Sequence, residues 1–307
     1  MAAETASGPI PVVVNRHGGT AGKLGDRLRP WLEEAFAAAG LTAAIHLVDG
    51  EDIPAAVRKH RDARLIVVGG GDGTLGCAAN ELAGRDTALG ILPLGTHNHL
   101  AGALGIPTAL SDAVKLFADP AIRAIDIVRV NGRAFVNNAS IGFYPVMVEG
   151  RDARRELHSV PKWVAAIPAG IDALRRLRHH RLRLSHDAGD HAVATPMLFV
   201  GNNRYSLEAG QLGKRNALDK GMMSVFAVAS HRRLALIGFA LRTLVGRADM
   251  AADFAELTET ATLTVEGRSR HVRIALDGEV TRLRMPLRFE TLAGGLRVVA
   301  PLSVASA

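Results

Sequence analysis

The sequence contains a single cysteine, Cys77, among 307 residues. No disulfide can form within the chain, and such usage suits a reducing cytoplasm. Aromatic residues make up only 4% and are not interleaved with basic ones. That argues against a base-stacking binder of single strands, and no nucleic-acid partner is expected. The longest apolar stretch, 234–246, is interrupted by Arg242 and is too short to span a bilayer. Residues 1–8 carry neither the basic nor the apolar region of a secretory signal. No GxxxxGK[ST] run occurs, so a Walker lysine is not available to hold phosphates. Acidic residues are in deficit, 30 against 37 Lys and Arg, which leaves a formal net charge of +7. The partner is therefore expected to be anionic: a nucleotide or an acidic membrane surface.

Hydrophobic residues make up 48% and charged ones 22%. A chain of this size and balance can bury a core and suits two domains. The first half alternates short apolar β-branched runs with helical patterns, which predicts a parallel sheet. Strands are expected at Pro9 to Asn15, Leu41 to Asp49, Arg64 to Gly69 and Leu89 to Leu92. Beyond about residue 124 the texture changes. Ile125 to Val130, Asn131-Gly132 and Ala134 to Asn138 read as a hairpin with a tight turn. Further strands are expected at 192–201, 221–230, 260–266, 272–276 and 287–291, with few helical crossovers between them. That predicts an antiparallel second domain. Residues 151–183 hold nine Lys or Arg against three Asp or Glu, with apolar residues at helical spacing from Val164 to Leu177 and one tryptophan, Trp163. Such a helix can lie on an anionic bilayer, or it can be a solvated face packed on the core.

The chemistry concentrates in four motifs. Val67 to Thr74 runs from an apolar strand into four glycines within five residues, one carboxylate, Asp72, and a threonine, with a helical pattern directly after. Amides converging at a helix N-terminus suit a phosphate chain. Asp72 repels phosphate unless it holds a magnesium ion or takes a proton. Asn15 to Gly22 forms a second glycine turn after the first strand, the usual place for a nucleotide or else a mere turn. Pro93 to Leu100 forms a third, in which Thr96 either caps a helix or bonds a phosphate or ribose. His97 and His99 are two apart on the presumed helix and do not share a face for a metal. Leu276-Asp277-Gly278-Glu279 ends a strand with two carboxylates; it is a β-turn, or a source of a base or metal ligand.

Together these motifs, VVGGGDGTL, LPLGTHNHLAGALGIP, AFVNNASIGFYP and ALDGEV in that order, resemble the diacylglycerol kinase catalytic-domain family. The family includes soluble bacterial lipid kinases and sphingosine kinases. The resemblance implies a Rossmann-like α/β N-terminal domain with a mostly parallel sheet, residues 1–125, and an antiparallel β-sandwich C-terminal domain, residues 126–287. The basic helical insertion 151–183 falls in the second, and residues 288–307 return to the first. ATP and Mg²⁺ are the implied cofactors, a lipid hydroxyl the acceptor, with diacylglycerol the first candidate. The implied active site is the cleft between the domains. Asn15, Gly19, Thr20, Gly70, Gly71, Asp72, Gly73, Thr74, Thr96 and Asn98 would hold the nucleotide, and Asp72 the metal. Glu279 would accept the hydroxyl proton, a role some relatives give to the residue matching Asp72. The implied location is cytoplasmic, peripheral to the inner face of the membrane.

Two departures stand out. Asn98-His99 replaces the frequent Asn-Asp pair, and Ala217 to Gly221 carries Lys220 where relatives have an acidic ligand of a structural metal. Two alternatives stay open: an NAD kinase-like enzyme, and a catalytically silent module that binds lipid or nucleotide.

Overall fold

The apolar run after Gly8 becomes strand β1 (Ile10–Asn15), whose Val12, Val13 and Val14 are wholly buried. A computed structural model describes residues 8–96, 98–142, 179–204, 217–228 and 254–301. The chain divides into two compact units, Met1–Ile127 with Gly294–Ala307, and Val128–Ala293.

In the first unit β1 is followed by α1 (Gly19–Leu24), α2 (Leu28–Ala38), β2 (Ala43–Val48), α3 (Ile53–Lys59), β3 (Leu65–Gly70), α4 (Asp72–Leu82), β4 (Ala88–Pro93), α5 (His99–Ala103) and α6 (Leu110–Lys115). The strands pair in parallel in the order β2-β1-β3-β4. Every residue of β4 is buried, as expected of a sheet covered by helices on both faces. The chain leaves β1 toward β2 on one side and returns to β3 on the other. The carboxyl ends of β1 and β3 therefore mark the switch point of the strand order, where open α/β sheets bind ligands. Arg58 of α3 holds Glu81 of α4 through two bonds of 2.9 Å, which keep the Glu81 carboxyl below its ordinary range.

The second unit is built from β5 (Ile122–Val130), β6 (Arg133–Phe135), β7 (Asn138–Gly142), β8 (His180–His186), β9 (Gly189–Thr195), β10 (Met197–Asn202), β11 (Met223–Val228), β12 (Phe254–Thr260), β13 (Thr262–Gly267), β14 (His271–Leu276), β15 (Glu279–Arg284) and β16 (Leu287–Val299). The first and last of these strands cross the boundary between the units. One antiparallel sheet runs β12-β11-β10-β7-β14-β15. Opposite it, β13 pairs with β16 and β8, and β8 with β9, all antiparallel. Alternate residues of both layers, among them Phe135, Leu184, Val200, Val225, Val265, Ile274 and Phe289, share one core. This is a β-sandwich. The α/β-plus-antiparallel architecture expected from the sequence is the one observed.

Several element boundaries differ from expectation. Ala134 to Asn138 does not form one strand; it breaks at Val136 and Asn137, whose amides turn away to the Asp277 carboxylate. Pro196 has no N–H to give and separates β9 from β10. The strand expected at 287–291 does not end there; it runs on to Val299 as β16. Gly294 carries the strand through with φ +60° and donates its amide to buried Asp126 at 2.8 Å. Three strands were not expected, β8, β12 and β15, and the last two are the edges of the six-stranded sheet. Edge strands need little apolar sequence, and both carry charged residues instead.

The basic segment 151–183 lies outside the described residues up to residue 178. Its last four residues are strand rather than helix: in β8 Leu182 and Leu184 are buried while Arg181 and Arg183 are exposed, an alternation of period two. No helix among the described residues is long and apolar enough to cross a membrane.

A pH dependence follows from His60 in the first unit. Burial, the facing His46 ring at 5.2 Å and Lys59 hold its pKa below the ordinary 6.5. The unfolded chain therefore takes the proton first, so stability falls as pH drops below about 6.5 and continues to fall down to the folded-state pKa. Thermal midpoints measured against pH should show this decline, and His60→Asn should make it shallower; an unchanged slope would exclude His60 as a source.

Candidate active site

The glycine run after β3 is not a free loop. β3 absorbs Gly69 and Gly70, Gly71 is the N-cap, and Asp72, Gly73 and Thr74 are already the first turn of α4. Tight packing explains the glycines. A Cβ on Gly69 would come within 2.9 Å of the Val14 side chain and 3.1 Å of Leu94, and one on Gly70 within 2.6 Å of Thr74. A Cβ on Gly95 would overlap the Cα of Gly71 and reach 2.7 Å from Asn98 Oδ1. On Gly19, at φ +49°, it would overlap the Leu94 carbonyl oxygen. The turn after β4 is thus in close backbone contact with the turn after β1 and with the start of α4, at the same ends of neighbouring parallel strands.

Polar side chains fix this contact. Asn15 Nδ2 donates to Thr74 Oγ1 at 3.2 Å and joins the first turn to the second. Thr20 N–H donates to the Leu94 carbonyl at 2.8 Å and joins the first to the third. Asn98 sits in the left-handed region, at φ 53°. Its Oδ1 accepts the Gly95 amide at 2.9 Å, and its Nδ2 donates to the Pro93 and Gly95 carbonyls at 3.1 Å each. Asn tolerates this conformation because its short amide can bond the local backbone. Asp72 then links the second turn to the third: Oδ2 accepts the His99 amide and Oδ1 the Leu100 amide, each at 3.1 Å. A carboxylate from another segment caps the start of α5, and Thr96, which is exposed, makes no cap there.

The N-terminus of α4 itself has no side-chain cap. The first-turn amides of this 11-residue helix, Gly71 to Thr74, are half-buried and carry the positive end of the dipole. Of the residues expected at the nucleotide, Asn15, Gly19, Thr20, Gly70, Gly71, Asp72, Gly73, Thr74 and Asn98 lie in these three turns, bonded or packed together as described, and Thr96 lies on the third. Leu94 was not singled out from the sequence. Its carbonyl and side chain join all three turns, and an ordinary leucine after a strand gives no signal of that. No group of three or more His, Cys, Asp or Glu able to hold a metal occurs among the described residues.

Glu279 belongs to the second unit. Asp277-Gly278 is the two-residue turn between β14 and β15, with φ 48° and 90°. The Asp277 carboxylate accepts three amides, from Val136 at 2.9 Å, Asn137 at 2.7 Å and Asn138 at 3.1 Å. Its own amide donates to the Asn138 carbonyl at 2.9 Å. The turn is thereby locked to the break between β6 and β7, and Glu279, paired with Leu276 through the backbone, is exposed, its carboxylate making no hydrogen bond with the described residues.

Comparison with known proteins places this geometry. Residues 9–130 match the diacylglycerol kinase catalytic domain. A Pseudomonas aeruginosa protein named probable lipid kinase YegS-like is 32% identical over 238 residues, 77% of this chain and 76% of that one. The chain belongs to the diacylglycerol kinase catalytic-domain family, a family of lipid kinases. The diacylglycerol kinase of Bacillus subtilis is 29% identical over 245 residues, 78% of this chain and 79% of that one. A crystal structure of a diacylglycerol kinase from Bacillus anthracis has the same fold, with TM-score 0.67, 21% identity and coverage of 96% of this chain and 98% of that one.

In this family member the two acidic residues of the ALDGEV motif should separate cleanly. Asp277→Ala would leave three amides without their acceptor and should cost at least about 2 kcal/mol in urea unfolding. Glu279→Ala should stay within about 0.5 kcal/mol of the parent. Equal losses would mean that the turn is not held through Asp277.

Proposed function

We propose that this lipid kinase takes its phosphoryl group from ATP, with Mg²⁺, and transfers it to the hydroxyl of diacylglycerol. The observation that carries the reading is the uncapped α4 N-terminus among three packed turns at the carboxyl ends of parallel strands. Helix amides at such a place receive phosphate oxygens. The relative named diacylglycerol kinase, matched over most of its length, supports the acceptor.

In this reading Asn15, Gly19, Thr20, Gly70 to Thr74, Thr96 and Asn98 form the nucleotide pocket. Asn98 and Thr74 keep the turns in place through the bonds already described, so that the amides are oriented before the phosphates arrive. Asp72 fits a magnesium ion that draws most of its ligands from phosphate and water. Its oxygens accept the His99 and Leu100 amides, which hold the carboxylate in one orientation. When bound, the ion supplies neutralisation of the phosphate charge.

Glu279 is the better base of the two carboxylates. Its oxygens have no hydrogen bond to satisfy among the described residues, whereas both oxygens of Asp72 are engaged by α5. Glu279 takes the proton of the acceptor hydroxyl, whose oxygen bonds to the γ-phosphorus as the bond to the bridging β,γ-oxygen breaks. ADP leaves. The net charge of +7 supports peripheral association with an anionic membrane, at the cytoplasmic face.

The test is a labelled-ATP assay on mixed vesicles holding diacylglycerol, with a sphingoid base and NAD as parallel acceptors. Label is expected in a chloroform-extractable phosphate ester of diacylglycerol. Label only in the sphingoid product would change the acceptor, and label only in NADP would refute the reading. Glu279→Ala should lower kcat by about 10²–10⁴ with little change in KM for ATP, as loss of a general base does. Asp72→Ala should lower kcat and raise that KM together.

A further inference from the structure

A cavity of about 740 Å³ lies in the second unit, beside the Asn131-Gly132 turn and outside the glycine turns and the LDGE motif. Its floor is the outer face of β13 and β16, where Thr264 faces Arg288 and Thr262 faces Glu290 in register. The opposite residues of both strands, Leu263, Val265, Leu287 and Phe289, are buried in the sandwich core. One wall is the corner that carries Arg284 from β15 to β16.

Asn131 makes this corner rigid. Its Nδ2 donates to the carbonyls of Arg284 at 2.8 Å and Pro286 at 3.2 Å. Its Oδ1 accepts the Arg288 amide at 2.8 Å, and its own amide donates to the Arg288 carbonyl at 3.0 Å. The backbone under both arginines is therefore held in place. Both guanidiniums are exposed and make no hydrogen bond or ion pair with the described residues, although Glu290 lines the same cavity. A fixed concave site with two unpaired forks of N–H donors matches a tetrahedral oxyanion. Its volume lies in the range of small-ligand sites, about 300–1,000 Å³.

We infer that this cavity binds a phosphate monoester or phosphate anion through Arg284 and Arg288, separately from the turns that hold the nucleotide. Free phosphate and the phosphomonoester head of a lipid present the same chemistry to the two arginines. Thr264, whose hydroxyl has no partner among the described residues, adds a neutral donor at the same floor. Glu290 sets the affinity down rather than up, because a carboxylate on the floor repels the ligand.

The experiment follows the arginine Nε–Hε resonances of the full chain during titration with inorganic phosphate, with a non-hydrolysable ATP analogue present throughout. A second arm measures sedimentation with phosphatidylcholine vesicles, with and without phosphatidic acid. Saturable phosphate binding at two arginine resonances identifies free phosphate as a ligand. Phosphatidic-acid-dependent sedimentation without it identifies a lipid head. In whichever arm responds, Arg284→Ala with Arg288→Ala should weaken binding at least tenfold, while Arg282→Ala, exposed but outside the cavity, should not. Replacing both arginines by lysine keeps the charge and loses the forks, and should also weaken binding severalfold. Glu290→Gln should strengthen it, a gain that misfolding cannot mimic. No response in either arm, or equal binding by the lysine pair, would overturn the site.

Discussion

Gly71 and Gly95 meet backbone to backbone, and the arrangement of the first unit's site depends on that contact. A β-carbon on Gly95 would overlap the Cα of Gly71, and one on Gly71 would crowd the Cα of Gly95 at 3.3 Å. The close approach brings the turn after β4 against the start of α4. It also lets one carboxylate, Asp72, reach two amides of α5. Asn15, Thr20 and Asn98 then add bonds between turns that are already in contact. The polar clasp has well-formed geometry because the glycines remove the steric bar, and a methyl group at Gly95 would push the turns apart.

A carboxylate plays a parallel part in each unit. Asp72 gathers amides at the start of a helix, and Asp277 gathers three at a strand break. In both cases the anion is matched by several N–H dipoles, and it ties together segments remote in sequence. The consequences for chemistry differ. Asp72 lies in the first turn of α4, among the amides proposed to receive phosphate. Asp277 sits behind a turn and presents another residue, Glu279, two positions on. The aspartate of a motif can thus be its anchor while the neighbouring glutamate is left exposed.

Much of this was legible from the residues alone. Short apolar runs alternating with helical patterns gave the four parallel strands, and Asn131-Gly132 gave its hairpin, because buried strands and type I′ turns have strong local signatures. The polar edge strands β12 and β15 were not legible, since their existence depends on neighbours that supply the hydrogen bonds. The reading of the glycines also shifted. In sequence they suggest room for a ligand; in the fold several of them make room for Val14, Thr74 and one another. The strand expected at 287–291 runs on through Gly294, whose amide donates to the Asp126 carboxylate.

By itself the sequence determined the α/β-plus-antiparallel architecture and the family, and it singled out the three glycine turns and the Asp72 and LDGE carboxylates, because periodicity and glycine spacing are local properties of the chain. Only the tertiary structure decided how those pieces are used. Strand order β2-β1-β3-β4 sets the turns after β1 and β3 at the switch point of the sheet. Packing commits Asp72 to α5 and Asp277 to the 136–138 backbone. Both outcomes rest on contacts across 27 to 141 positions of sequence separation, and no local pattern encodes a partner that distant.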